Sequence, residues 1–244
     1  MPKRSAYGGR HDVLLEVCVD SVASAIAAER GGADRIELCA NLHEGGTTPS
    51  AGTIELAVKH CSIPVHVLVR PRAGGFCYGG TDLLIMKRDI AVAKKLGAAG
   101  VVIGILTQGR TIDVVRMRAL IMAARPMSVT FHRAFDAVKN PMKSLEQIIE
   151  AGADRLLTSG QKSSAEKGVQ LIAELVRRAG GRIAIMAGAG VNEKNAKKIV
   201  EETGVREIHV GSAVAKKSAH DRLGFGAKRE VDVEKVKRIV RAVR

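Results

Sequence analysis

The sequence predicts a single-domain α/β protein with the (β/α)8 TIM-barrel fold. Short β-branched runs alternate with amphipathic stretches along most of the 244 residues, an alternation typical of parallel strands joined by helical crossovers. The similar phrases GGADRIEL, LGAAGVVI, AGADRLLT and TGVREIHV recur where a helical stretch meets the next run. The length is also close to the roughly 250 residues of a typical barrel.

The β-branched runs are the predicted strands. Eight of them span residues 14–20, 35–40, 64–70, 100–106, 128–135, 155–160, 182–186 and 207–212. Eight parallel strands favour a closed barrel, which leaves no exposed sheet edge. The alternative, an open doubly wound sheet, is disfavoured by this count and by the lack of a GxGxxG turn after the first run.

The stretches between the runs have helical periodicity. They span residues 21–30, 50–60, 82–96, 113–124, 142–151, 165–179, 193–202 and 233–243. A glycine follows several of them, as Gly97 and Gly152 do. Glycine suits the left-handed residue that closes a helix, so these positions are the predicted helix ends.

Composition and charge exclude several function classes. Hydrophobic residues make up 46% of the chain, which indicates a globular protein, and aromatic residues only 2%, which leaves little surface for stacking bases. The net charge is +14; residues 1–12 contribute +2 and residues 216–244 contribute +6. We interpret these ends as solvated surface. Nucleic-acid binding is not expected; nonspecific binding through the ends is kept as a third hypothesis.

Residues 1–13 are predicted to be a flexible basic segment. Residues 14–244 form the predicted barrel domain, with a basic loop at 214–230 and a C-terminal helix. No run of about 18 apolar residues is present, so no membrane association is expected. The first residues lack the apolar stretch of a secretory signal, so we expect a cytoplasmic protein with reduced cysteines.

Polar residues occupy alternate positions of the predicted strands. Because the face beneath the helices must be dry, we expect the polar face to line the barrel lumen. The lumen would then contain the ionisable groups Glu16, Asp20, Glu37, His66, Arg70, His132 and His209. Barrel interiors are usually filled with Val, Ile and Leu. These groups therefore indicate a ligand site, and a self-satisfied salt-bridge network is the alternative.

Ligands of such barrels bind at the carboxyl ends of the strands. The residues predicted to bind a ligand there are Asp20, Asn41, Arg70 and Arg72. If the protein is an enzyme, Glu16, Glu37 and His132 are the acid–base candidates. This hypothesis describes a lyase or isomerase acting on a small anionic or phosphorylated metabolite at the barrel mouth.

Glycine-rich turns follow the seventh and eighth runs. Gly188 and Gly190 precede a helix, and Ser212 ends the eighth run. Backbone N–H groups at such places form the common phosphate site of these barrels, so the three residues are predicted ligand contacts. The alternative is ordinary turn chemistry.

Two cysteines occupy matching positions of adjacent strands. Cys18 and Cys39 both fall on the lumen face, and neighbouring strands lie about 4.8 Å apart, so their sulfurs are expected to meet. Two thiolates, with His66 nearby, suit Cu(I) better than a hard cation. The alternative is two small buried thiols that pack as hydrophobic groups.

Four long motifs resemble the CutC copper-homeostasis family over about residues 14–213. They are LEVCVDSVASAIAAERGGADRIELCANLHEGGTTPS, IPVHVLVRPRAGGFCY, VTFHRAFD and LLTSGQKSSAEKG. The resemblance implies a TIM barrel that self-associates, as a dimer or tetramer, in the cytoplasm. It implies copper as the partner, with Cys18 and Cys39 as the Cu(I) ligands, and no organic cofactor is expected.

The sequence departs from the family pattern in three places. The family often reads RPRGGDF where this chain has Ala73 and Gly75, so an acidic residue is missing. It often has PGGG at residues 187–190, which read AGAG here, and an Arg where this chain has Val214. All three changes surround the predicted anion site, so anion binding there does not follow from the resemblance.

Overall fold

Eight parallel strands close into a barrel in sequence order in the computed structural model, which describes residues 13–216 and 230–244. The strands are β1 (Leu14–Val19), β2 (Arg35–Leu38), β3 (Val65–Leu68), β4 (Gly100–Ile103), β5 (Ser128–Phe131), β6 (Arg155–Thr158), β7 (Ala184–Ala187) and β8 (Glu207–Val210). Each pairs with the next, and β8 pairs with β1. The predicted TIM-barrel fold is confirmed.

Helices connect the strands around the outside of the barrel. Within the described residues they are α1 (Val22–Arg30), α2 (Ala51–His60), α3 (Gly80–Lys95), α4 (Val114–Ala124), α5 (Pro141–Ala151), α6 (Val169–Ala179), α7 (Ala196–Thr203) and α8 (Val233–Val243). Side chains begin several of them: Ser21, Asp113 and Asn140 each accept a hydrogen bond from a backbone N–H of the first turn. Gly152, with φ of 91°, closes α5 in the predicted left-handed conformation.

Some elements are shorter than the pattern predicts. The predicted strand 128–135 ends at Phe131, because Arg133–Ala137 form a 3-10 helix that the side chain of His132 caps. The predicted helix start at 165 moves to Val169, because Glu166–Gly168 form another 3-10 turn. Both changes occur at the carboxyl ends of strands, where they shape the mouth of the barrel.

Alternation along the strands separates two faces as predicted. Leu15, Val17 and Val19 of β1 belong to the apolar core between strands and helices. Glu16, which lies between them in sequence, is equally buried but faces the lumen, where it meets Arg35. The period of two in the sequence therefore decides which side chains enter the barrel.

The lower part of the lumen holds a salt-bridge network. Arg35 donates hydrogen bonds to Glu16 and, over 2.6 Å, to Glu207. Arg155 donates to the same Glu207. Burial raises the pKa of Glu207, but the two arginines lower it by more than burial raises it. The net pKa is therefore below its ordinary value, and this carboxylate stays ionised. Two cations balance two anions in this layer, although Oε1 of Glu16 and Nη1 of Arg35 are buried without a hydrogen-bond partner in the described residues.

The predicted N-terminal segment at 1–13 and basic loop at 214–230 fall, except for residues at their edges, outside the described residues. The C-terminal helix α8 covers the residues expected of it. Across residues 13–216 and 230–244, no helix is long and apolar enough to cross a membrane.

Candidate functional site

A cavity of about 300 Å³ lies at the carboxyl ends of the strands, above the salt-bridge network. Residues of β1, β2, β3, β6 and β8 reach it, and it is completed by the loops that follow β2, β3, β5, β7 and β8. Its wall carries thiol, carboxyl, imidazole and guanidinium groups alongside apolar side chains. The cavity therefore has the position and chemistry that barrel ligand sites share.

Two thiols lie in contact on one side of the cavity. The sulfurs of Cys18 and Cys39 are 3.5 Å apart, and no disulfide joins them. The hydrogen bond with Cys39 and burial raise the pKa of Cys18 well above its ordinary value. The same hydrogen bond opposes the rise at Cys39, but burial and nearby Glu37 bring its pKa to about 11. Both groups are therefore protonated thiols at neutral pH.

An ion pair lies beside the thiols. Glu37 and His209 are 2.8 Å apart. Burial opposes ionisation of both groups, but the charge of the partner outweighs the effect of burial at each of them. The pKa of Glu37 therefore falls to about 2, and that of His209 rises well above its usual range. The pair is therefore a carboxylate and an imidazolium at neutral pH.

His132 presents an unused hydrogen-bond donor. Its Nδ1 accepts from the backbone N–H of Ala134 over 3.1 Å, so the proton of the neutral ring is on Nε2. That nitrogen is buried and has no hydrogen-bond partner in the described part of the chain. Burial lowers the pKa of His132 to about 4, so the ring is neutral at pH 7.

Arg70 is held by backbone carbonyl groups. Its terminal nitrogens donate to the carbonyl oxygens of Glu44, Gly46 and Gly74, over 3.1, 2.5 and 2.8 Å. Its guanidinium lies 5.4 Å from the ring centre of Phe76. The side chain lines the cavity and is only 6% exposed.

The structure brings most of the predicted site residues together. Those that line the cavity are Cys18, Glu37, Cys39, Arg70, His132, Gly190 and Ser212. Those that do not line it are Glu16, Asp20, Asn41, His66, Arg72 and Gly188. Glu16 belongs to the network below, although one of its oxygens lies 4.0 Å from His209.

His66 is not brought to the cysteines. Its strand partner is Glu37, two residues before Cys39, so it lies one layer deeper in the barrel. There its ring packs so close to Gly100 that a Cβ at that position would lie 2.6 Å from it. Leu68 takes the place beside Cys39 instead. Burial, Arg35 and Arg155 lower the pKa of His66 well below its ordinary value.

The remaining predicted contacts lie around the cavity. Asn41 and Arg72 line a separate surface groove, where Arg72 donates to Asp82 over 3.1 Å. Asp20 lines a small recess beside the mouth. β3 ends at Leu68, so the alternation that leads to Arg70 does not continue to Arg72.

The glycine-rich loop after β7 uses several of its N–H groups internally. Gly188 donates to the carbonyl of Thr158 over 2.9 Å, and Asn192 donates to the side chain of Asn195 over 2.8 Å. Lys194 donates to the side chain of Asn192. These three N–H groups are occupied, but their residues do not line the cavity, whereas Ala189, Gly190 and Val191 do, so the turn and the phosphate interpretations both stay open at this loop.

His209 is the main site residue that the sequence places in the lumen without a predicted role. Alternation along the eighth run predicts that His209 lies on the lumen face, but nothing local to that run indicates that its partner is Glu37, 172 residues away. The useful signal is the alternation Glu207, His209, Gly211, which puts His209 at the same face as the network below.

Comparison with known proteins identifies the family. The family model for the CutC family matches residues 13–214. The chain belongs to the CutC family. It is 50% identical to a CutC family protein of Bacteroides fragilis over 206 residues, which is 84% of this chain and 82% of that protein. It is 49% identical to the human copper homeostasis protein cutC homolog over 202 residues, 83% of this chain and 74% of the human protein.

A solved CutC structure from Streptococcus agalactiae has the same fold. Its TM-score to this chain is 0.78 at 36% sequence identity, and the match covers 82% of this chain and 98% of that structure. The departures in the loops after β3, β7 and β8 are therefore local changes on a shared CutC barrel.

Proposed function

We propose that this CutC family protein serves copper homeostasis in the cytoplasm by binding Cu(I) through Cys18 and Cys39. The observation that carries the proposal is the pair of thiols 3.5 Å apart in the wall of the cavity. Relatives that are named for copper homeostasis support it.

The donor set fits Cu(I) better than other common ions. Thiolates are soft ligands, and Cu(I) selects them. A structural zinc site needs four protein ligands, and within the described residues the group around the thiols contains only one further candidate, Glu37. That carboxylate is already paired with His209. A two-sulfur site therefore matches the chemistry of a monovalent soft cation.

Copper binding at this site is linked to proton release. Both thiols are protonated at neutral pH because burial raises their pKa values. Metal binding requires thiolates, so each Cu(I) displaces about two protons at pH 7. The apparent affinity for Cu(I) therefore increases with pH up to the pKa values of the thiols.

The test is a titration of the reduced, metal-free protein with Cu(I) against a competing chelator. We expect one high-affinity Cu(I) per chain and loss of this binding in the Cys18→Ser/Cys39→Ser variant. Cys77 is exposed and lies outside the cavity, so Cys77→Ser is the matched control and should bind as the parent does. Equal affinity of the double variant and the parent would refute the proposal.

The proposal includes self-association as a dimer or tetramer. Leu84 of α3 and Val115 and Met122 of α4 are large apolar side chains that are 68%, 81% and 77% exposed. Helices α3 and α4 are neighbours, so these residues supply apolar surface on one side of the barrel. Sedimentation equilibrium of the parent and of Met122→Lys measures this part of the proposal; a monomeric parent would contradict it.

A further inference from the structure

Arg70 is a buried cation without a counter-ion. Its terminal nitrogens bond to neutral carbonyl oxygens, and no carboxylate among residues 13–216 and 230–244 forms an ion pair with it. Its Nε has no hydrogen-bond partner in those residues. Burying an unpaired charge is costly, so this position favours an anion brought from outside.

The nearby hydroxyl of Tyr78 does not supply the missing charge. It is buried and interacts with Arg70, and it has no other hydrogen-bond partner in the described residues. Burial raises the pKa of Tyr78, although Arg70 and Arg72 lower it, so the group is a neutral phenol. Tyr78 does not line the cavity, whereas Arg70 does. The charge of Arg70 therefore remains uncompensated next to the cavity.

A second unused donor lies on the same wall. Nε2–H of His132 has no partner in the described part of the chain, and His132 lines the cavity with Arg70. Phe76 connects the two: its ring centre is 4.9 Å from that of His132 and 5.4 Å from the guanidinium carbon of Arg70. Two buried donors are thus grouped around one apolar ring.

The geometry points to a carboxylate site: we infer that the cavity binds a small monocarboxylate, whose oxygens accept from Arg70 and from Nε2–H of His132. The glutamate and histidine of the neighbouring ion pair neutralise each other at 2.8 Å. The cavity wall then has one uncompensated positive charge, that of Arg70, because Arg133 is paired with Asp136 over 2.8 Å. One negative charge balances it.

This charge balance favours a carboxylate over a phosphate. A phosphate monoester carries about −1.5 to −2 at pH 7 and three acceptor oxygens. A carboxylate needs few donors, and its single charge matches that of Arg70. The cavity volume of about 300 Å³ admits a metabolite of modest size.

The experiment is calorimetric titration of the full-length, reduced and chelator-treated protein with butyrate. Butyramide, which has nearly the same shape and no charge, and inorganic phosphate are titrated in parallel. We expect butyrate to bind at least about tenfold more tightly than either, as a charge-assisted hydrogen bond implies. Butyrate that does not bind, or binds no better than butyramide, overturns the inference.

Two variants test the donors without removing the local structure. Arg70→Gln keeps N–H groups for the carbonyl oxygens but removes the charge. His132→Asn keeps a side-chain oxygen for the N–H of Ala134, because Asn is a preferred cap, but loses the Nε2 donor. We expect each to weaken butyrate binding about tenfold or more. Arg72→Gln, outside the cavity, is the control and should leave it unchanged.

Copper binding and carboxylate binding are tested separately. The Cys18→Ser/Cys39→Ser variant lacks the proposed copper ligands but keeps Arg70 and His132. Both cysteines line the same cavity, so the readout is the preference for butyrate over butyramide, which this variant should retain. Loss of that preference in the variant, or unchanged butyrate binding in Arg70→Gln, overturns the carboxylate site. A failed copper titration does not affect it.

Discussion

The most stringent stability prediction concerns Arg35, whose guanidinium is fully buried between two carboxylates. Replacing it by Met removes a cation and leaves Glu16, which has no exposed surface, with His209 at 4.0 Å as its remaining ion-pair partner in the described residues. Breaking a buried pair in this way costs about 3–5 kcal/mol. Arg155 remains on Glu207, so the penalty falls mainly on Glu16.

We therefore expect Arg35→Met to lower the free energy of unfolding by about 3–5 kcal/mol at pH 7. Glu16→Gln/Arg35→Met removes both charges together and should recover at least half of the loss at pH 7.

Urea unfolding followed by circular dichroism measures these differences. Arg118→Met, at an exposed position of α4, is the matched control and should change stability by less than about 0.5 kcal/mol. A loss below about 1 kcal/mol for Arg35→Met at pH 7 would refute the reasoning, because it would show that Glu16 does not depend on the charge of Arg35.

Three further predictions concern the cavity wall and the helix layer. The pKa of His132 is about 4 against an ordinary 6.5, so on acidification the unfolded state takes up a proton first. The free energy of unfolding should therefore be constant above pH 6.5 and fall by up to about 3 kcal/mol towards pH 4. Urea titrations at several pH values should find this fall reduced in His132→Asn. Ala189 has φ of 76°, a left-handed conformation that is strained for alanine. Relief of this strain outweighs the greater flexibility of glycine in the unfolded chain, so Ala189→Gly should raise the free energy of unfolding by about 0.5–1 kcal/mol in the same assay. A loss would contradict this. A Cβ on Gly31 would lie 2.5 Å from that of Val236, so Gly31→Ala should lower the free energy of unfolding by about 1–3 kcal/mol; Gly52→Ala, in open space in α2, is its control and should cause no loss.

The dithiol illustrates how far local pattern reaches. Cys18 and Cys39 each occupy a polar-face position of neighbouring strands, and period two together with strand adjacency predicts their contact. The same reasoning places His66 beside them, and the structure does not. Alternation gives the face on which a residue lies but not its height in the barrel, which depends on how far each strand is shifted against the next. Here that shift aligns His66 with Glu37 and leaves Leu68 beside Cys39.

Loop residues show a second limit. The pattern continues from Arg70 to Arg72, yet only Arg70 enters the cavity. β3 ends at Leu68, and beyond that point the conformation depends on contacts from elsewhere, such as the carbonyl groups of Glu44 and Gly46 that hold Arg70. Such contacts have no signature in the segment that contains the arginine.

By itself the sequence determined the eightfold alternation of strands and helices, the polar lining of the lumen and the neighbouring cysteines, because these follow from short-range periodicity and from the order of the strands. The tertiary structure decided which charged groups form ion pairs: Glu37 pairs with His209, and Arg35 pairs with Glu16 and Glu207. Arg70 pairs with no carboxylate in the described residues. Those pairings join residues up to 172 positions apart. They exist only once the barrel closes, because closure sets the offset between strands and so brings distant side chains to the same level.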